Sequence, residues 1–355
     1  MLLMLWVNDY AGMDGIPHWM MHARTREDML GLADNAFPSF LFCMGMSIPL
    51  AIENRLKKGE SIIRASLHVL LRCFALLLMG VFEQNTSNSL YELLMAVGFF
   101  LVWNEYPERE GRLKWLPLTL RLAGIGLLIG LAASVWPMRT GWWGILGLIG
   151  WAYLFSSILY LAFRKIKPAL PFVWAALVAM MILNHSHLHI GGWLPGGWSL
   201  TVIAFTGLVC TCLATELKER NRPERFSLWA IAGAVVFFGA FMVCHKWWHI
   251  SKNLATPTWV FLCMAIDLVV MAVIYYVADI KGKTSWARPI KAAGVATLTC
   301  YTIPYIWYPL TGIIGIDLPD CLSFGVPGLV KAMVFSFAVI LVAELLGKIH
   351  IRLKI

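Results

Sequence analysis

Charge is what this chain has least of. Asp, Glu, Lys and Arg make up 14% of its 355 residues, against about 25% in an ordinary soluble domain. With a hydrophobic share of 59% and a mean hydropathy of +0.72, that scarcity excludes a water-soluble globular protein. No Cys-x-x-Cys pair occurs among the eight cysteines. Seven lie in or at the end of apolar stretches and only Cys321 falls in a loop, so they read as small packing residues and imply no disulfides. No basic region opens the chain, so no cleavable signal peptide is read there. Internal repeats, low-complexity tracts and a soluble domain are also missing.

What fills the chain is a series of apolar runs. Candidate spans cover 36–52, 65–82, 89–103, 115–136, 142–163, 169–183, 198–214, 227–244, 259–278, 292–313 and 326–347. Several approach the roughly 20 residues a helix needs to cross the hydrocarbon; 89–103 and 169–183 are the shortest. A twelfth piece, Met1–Val7, is too short to span and reads as the end of a truncated first helix. The expectation is an all-α polytopic transmembrane helical bundle of about 11–12 spans, forming a single transmembrane domain over 1–355. The 17 Trp suit rings at headgroup level. Of the 29 Lys and Arg, 21 gather in alternate loops around 55–64, 109–114, 164–167, 218–225, 281–291 and 348–354. The opposite loops hold only five. The positive-inside rule makes the basic side, and with it the C-terminus, cytoplasmic. The net charge of +9 is therefore mostly a topology signal, and nucleic acid is not the expected partner. A secondary role in gripping anionic lipid or a phosphorylated cofactor stays open. Gly126/Gly130 and Gly144/Gly147/Gly150 are spaced for close helix approach.

Seven of the nine His fall in three loops on the poorly basic face, 8–35, 184–197 and 245–258. Imidazole is the group best suited to moving protons near neutral pH. The first loop holds Asn8, His18, His22 and Asp34 between two membrane helices. An amide donor, an imidazole and an orienting carboxylate are the parts that acyl transfer needs. A polar loop with incidental histidines explains the same spacing. His185-Ser186-His187-Leu188-His189 reads as a metal site or as the lining of a polar cavity. Its alternate spacing puts the three rings on one side only if the segment is extended, and no acid lies near; no metal is expected. In His245-Lys246-Trp247-Trp248-His249, lysine stands where a zincin needs glutamate, which disfavours a metalloprotease. Its tryptophans fit a sugar-binding pocket or a membrane interface. Within the spans Arg72, Glu92, Arg121, Asp267, Lys331 and Glu344 stand out, because ionisable groups at depth are costly. Some lie near span ends and can snorkel. Arg72 either holds a phosphate or carboxylate, or pairs with Glu92 or Asp267.

Several stretches carry a family likeness. They are Trp6-Val7-Asn8-Asp9-Tyr10-Ala11-Gly12, Met21-His22-Ala23, Gly31-Leu32-Ala33-Asp34-Asn35-Ala36-Phe37-Pro38-Ser39-Phe40-Leu41-Phe42 and Met44-Gly45-Met46-Ser47-Ile48-Pro49. Together they resemble the heparan-α-glucosaminide N-acetyltransferase family of polytopic membrane acyltransferases. The span around Arg72 and Thr297-Leu298-Thr299-Cys300-Tyr301 are similar to its bacterial members. The specific motifs cover about the first 85 residues. The resemblance implies a bacterial inner-membrane enzyme that takes acetyl from cytosolic acetyl-CoA to an amino sugar or glycan on the periplasmic side. It matches His22 to the family's catalytic His, Asn8 to its active-site Asn and Asp34 to its motif Asp; His18 has no counterpart. Two features depart from the family. The Ser-Leu-Asp-x-x-Arg-Gly opening is missing, and so is the extracellular domain of the animal enzymes, so heparan is not implied as substrate. The partners implied are the bilayer, acyl-CoA and a saccharide acceptor; a homodimer is left open. A multi-pass secondary transporter for a sugar, lipid or amino acid is the alternative, although inverted repeats are not evident.

Overall fold

A computed structural model describes residues 1–107, 114–166, 168–186, 192, 194, 197–316 and 319–355. The architecture is all-α, with no strand among the described residues. In chain order the helices are α1 (Leu2–Tyr10), α2 (Leu32–Lys57), α3 (Ile62–Gln84), α4 (Ser89–Trp103), α5 (Leu116–Ser134), α6 (Gly144–Phe163) and α7 (Ala169–His185). They continue as α8 (Gly197–Glu219), α9 (Arg225–Cys244), α10 (Pro257–Tyr275), α11 (Lys291–Val295), α12 (Thr297–Thr302), α13 (Pro304–Ile314) and α14 (Gly325–Lys348). Among the described residues eight helices are long and apolar enough to cross a membrane: α2, α3, α5, α6, α8, α9, α10 with its π-helical extension to Ile280, and α14. The chain is thus a multi-pass membrane protein built as a helical bundle. Two shorter apolar helices, α4 and α7, have 15 and 17 residues.

Each predicted span except one falls on a single helix. The exception is 292–313, which is divided among α11, α12 and α13. Ala296 leaves the helical region (φ −118, ψ 44) between the first two, and Pro304, with no N–H to donate, opens the third.

Contacts divide the chain into two compact units. One comprises Met1–Pro17, Leu78–Gly144 and Trp286–Ile355; the other comprises His18–Leu77 and Ile145–Ser285. In the first, α1 packs on α14, and α4 packs on α5 and α13. In the second, α2 packs on α8, and α10 on α9.

The α2–α8 contact is unusually close. A Cβ on Gly45 would lie 1.8 Å from the Ala204 carbonyl oxygen, and one on Gly207 would lie 2.0 Å from that of Phe42. The two backbones therefore touch, and Thr211 Oγ1 donates to the Met46 carbonyl at 2.9 Å. Such contact replaces the hydrophobic drive that helices lack in lipid. The expected approach at Gly126 and Gly130 is corrected: both face open space. Gly150 does pack closely, against Leu76.

Candidate active site

The head of α2 is built around Gly31 and Asp34. Gly31 is the N-cap, and a Cβ there would lie 1.8 Å from the Met21 carbonyl oxygen. Only glycine lets the segment 21–23 cross the helix start at this distance. Asp34 stands at the third helical position. Its Oδ2 accepts the Ala23 amide at 2.9 Å and the Gly31 amide at 3.3 Å. Its Oδ1 lies 2.8 Å from His22 Nδ1. A carboxylate only accepts, so Nδ1 carries the proton of this bond. Nε2 is then the basic nitrogen, and no group among the described residues bonds to it. The Asp34 side chain is 3% exposed and that of His22 40%: a buried orienter beneath an accessible ring. Trp259 Nε1 donates to the Asp34 carbonyl at 3.4 Å and ties the head of α2 to α10.

Lys252 completes the cluster. Its Nζ is 4.0 Å from Asp34 Oδ1 and 3.5 Å from His22 Nδ1. Burial holds the Lys252 ammonium below its ordinary pKa, and the Asp34 charge opposes that shift.

Loop 245–256 is clamped onto the loop that carries His22. Asp28 accepts the Ile250 amide and His245 Nε2, both at 2.7 Å. Burial alone would raise the Asp28 carboxyl; these bonds outweigh it and hold the group below the usual carboxylate range. His249 Nε2 and Ser251 Oγ donate to the Thr25 carbonyl, each at 3.1 Å, and Asn253 Nδ2 donates to Thr25 Oγ1 at 2.9 Å. His185 places its ring nitrogens 2.9 and 3.1 Å from the Met181 and Leu254 carbonyls. His18 pairs with Glu27 at 2.7 Å. His245, His249 and His185 tie loop to loop or loop to helix, and His18 pairs within its own loop; of these rings and His22, His22 alone meets a buried carboxylate. His187 and His189, and the metal reading attached to them, lie outside the described residues.

Asn8 lies in the other unit, exposed on the last turn of α1. Its neighbour Asp9 is buried, accepts the Tyr308 hydroxyl, and pairs with Lys331 Nζ at 3.0 Å. These three side chains border a cavity of about 700 Å³ whose other walls, such as Trp307 and Phe335, are apolar. The sequence marked Lys331 as an ionisable group within a span and named neither partner. It also missed Glu83, whose Oε1 accepts the hydroxyls of Tyr301 and Tyr305.

Of the alternatives open for Arg72, pairing with Asp267 is not what the structure shows. The Arg72 guanidinium packs over the Tyr153 ring, 4.9 Å from its centroid, and its Nε is buried without a partner. Asp267 is engaged instead by Ser39 and Asn35 of α2. Arg121 packs on Tyr106 at 5.6 Å, and Glu344 pairs with Lys348 one turn on.

Fold and site together define a multi-pass α-helical membrane protein with a carboxylate-oriented histidine at the head of a membrane helix. No family model matches the chain, and no curated protein matches it.

Proposed function

We propose that this protein is an integral membrane acyltransferase. It moves an acetyl group from cytosolic acetyl-CoA to an amino sugar or glycan on the periplasmic side of a bacterial inner membrane. The observation that carries this reading is the Asp34–His22 pair, with the imidazole fixed by one nitrogen and the other exposed. His22 Nε2 takes a proton from the acceptor amine as its nitrogen attacks the thioester carbonyl. The C–N bond forms, the C–S bond breaks, and the thiolate leaves as thiol once protonated. The same nitrogen serves alternatively as a transient acyl carrier.

The resemblance assigns the oxyanion donor to Asn8. Within the unit that holds His22, the Lys252 ammonium lies on the Nδ1 side of the ring, beside Asp34, where it supports the oriented pair. Arg72, with an unpartnered Nε, is the residue for a phosphate or carboxylate of the donor. The test is incubation of purified protein in nanodiscs with radiolabelled acetyl-CoA and a panel of amino sugars and glycan fragments. His22→Ala is expected to lower transfer by roughly 10²–10⁴-fold while the protein still inserts. Full transfer by the purified variant would end the assignment.

A secondary transporter for a sugar, lipid or amino acid is the second reading. The buried Asp9–Lys331 pair at an apolar cavity favours it. Substrate flux into proteoliposomes without consumption of acetyl-CoA would select it.

A further inference from the structure

Asp267 sits mid-way along α10 with 6% of its surface exposed. Ser39 Oγ donates to its Oδ1 at 2.5 Å. Asn35 Nδ2 lies 3.4 Å from the same oxygen and 3.0 Å from Ser39 Oγ. The donors therefore converge on Oδ1, while Asp267 Oδ2 and Asn35 Oδ1 are both buried with no partner. Among the described residues of this unit, no Lys, Arg or His pairs with Asp267. Lys252 serves Asp34, and Arg72 lies on Tyr153. The other ionisable groups that face it are Cys43 of α2 and Cys263 of α10. Cys263 is also within electrostatic range of Asp34 and Lys252. Five positions separate Asp34 from Ser39, which puts the Asp267 contact roughly 7.5 Å deeper along α2.

A buried carboxyl without a counter-charge is expensive at membrane depth, where such groups mark ion or proton routes. Ser39 and Asn35 both donate to Oδ1, which leaves the unpartnered, buried Oδ2 as the oxygen that can carry a proton.

We propose that Asp267 is a proton-holding site within the helical unit. Resting on the acyl-transfer reading, we further assign it the proton that the leaving thiolate takes. The acceptor N–H proton goes to His22 Nε2, the C–N bond forms, and the C–S electron pair goes to sulfur. Asp267 protonates that sulfur, and His22 then returns its proton to Asp267. Both groups end as they began, and no net proton is gained or lost.

Infrared difference spectroscopy of the full-length protein in nanodiscs tests the site without any substrate. Wild type should show a protonated-carboxyl band that shifts in D₂O, is missing in Asp267→Asn and is displaced in Ser39→Ala. No such band at any pH from acid to neutral overturns the site. A Ser39→Ala band identical to that of wild type does the same, even where Asp267→Asn fails to fold. In the labelled acetyl-CoA assay, Asp267→Asn should turn over at least about tenfold more slowly, with a displaced pH profile that Asp267→Glu partly restores. Unchanged turnover and profile overturn the role in transfer. The band in a wild-type protein that never transfers acetyl leaves the proton site standing and removes the acyl-transfer reading instead.

Discussion

Asp34 performs two tasks with two oxygens. Oδ2 pins the Ala23 and Gly31 amides, and Oδ1 fixes the His22 ring. Asp34→Asn separates them. An amide oxygen still accepts from the backbone, but the NH₂ group now faces Nδ1. The ring must then carry its proton on Nε2, which can no longer act as a base. Acetyl transfer should fall by about 10³–10⁴-fold in kcat with little change in KM, and the melting temperature should hardly move. A variant with more than a tenth of wild-type turnover would show that the tautomer is irrelevant. Asp28 makes a pH prediction. Its folded pKa lies below the ordinary 3.8, so its stabilising contribution is complete above that value and is lost as pH falls through the lowered one. Limited proteolysis, with a neutral protease at neutral pH and an acid-active protease in the acid range, should find loop 245–256 equally protected down to about pH 4, and cleaved below. Asp28→Asn should be cleaved throughout, and equal protection of variant and wild type at neutral pH would refute the clamp. His22 and Asp34 were singled out through the resemblance, because 12 positions around one helix start fit a polar loop with incidental histidines as well. Lys252 was legible only as a topology charge, since folding brings it to His22 across 230 positions.

Among the elements, α2 matters most because it carries Asp34, Asn35 and Ser39 on one rigid rod. Its Pro38 and Pro49 lie inside the helix, a position that membrane packing tolerates. What fixes the rod is its contact with α8 through Gly45 and Gly207. Gly45→Ala places a methyl group 1.8 Å from the Ala204 carbonyl oxygen, so one helix must shift. The expected cost is about 1–3 kcal/mol, read as a lower thermal midpoint in detergent, with acetyl transfer reduced because Asp34 moves. Gly126→Ala, facing open space, should stay within about 0.5 kcal/mol of wild type. Equal midpoints for the two variants would mean that the α2–α8 contact does not hold the rod. Hydropathy revealed nearly every helix because burial in lipid is written locally, residue by residue. It did not reveal which glycines touch, since Gly126/Gly130 and Gly45/Gly207 differ only in what stands opposite. The break at Ala296 was likewise hidden, although Pro304 and Pro309 mark the start and interior of α13.

For the whole molecule the deciding question is sidedness. On the proposed reading, the basic loops at 55–64 and 218–225 stay in the cytosol and the opposite ends of α2 and α8 face the periplasm. Loop 245–256 must lie on the same side as His22, because Asp28 and Thr25 bind it directly. A membrane-impermeant maleimide should therefore label Arg24→Cys in intact spheroplasts, and Lys58→Cys only after permeabilisation. The exposed Cys43 and Cys321 are replaced by serine to clear the background. The reverse pattern would put His22 in the cytosol beside acetyl-CoA. Donor and acceptor would then share one compartment, no acyl group would need a path through the bundle, and transfer across the membrane would be the wrong reaction for this protein.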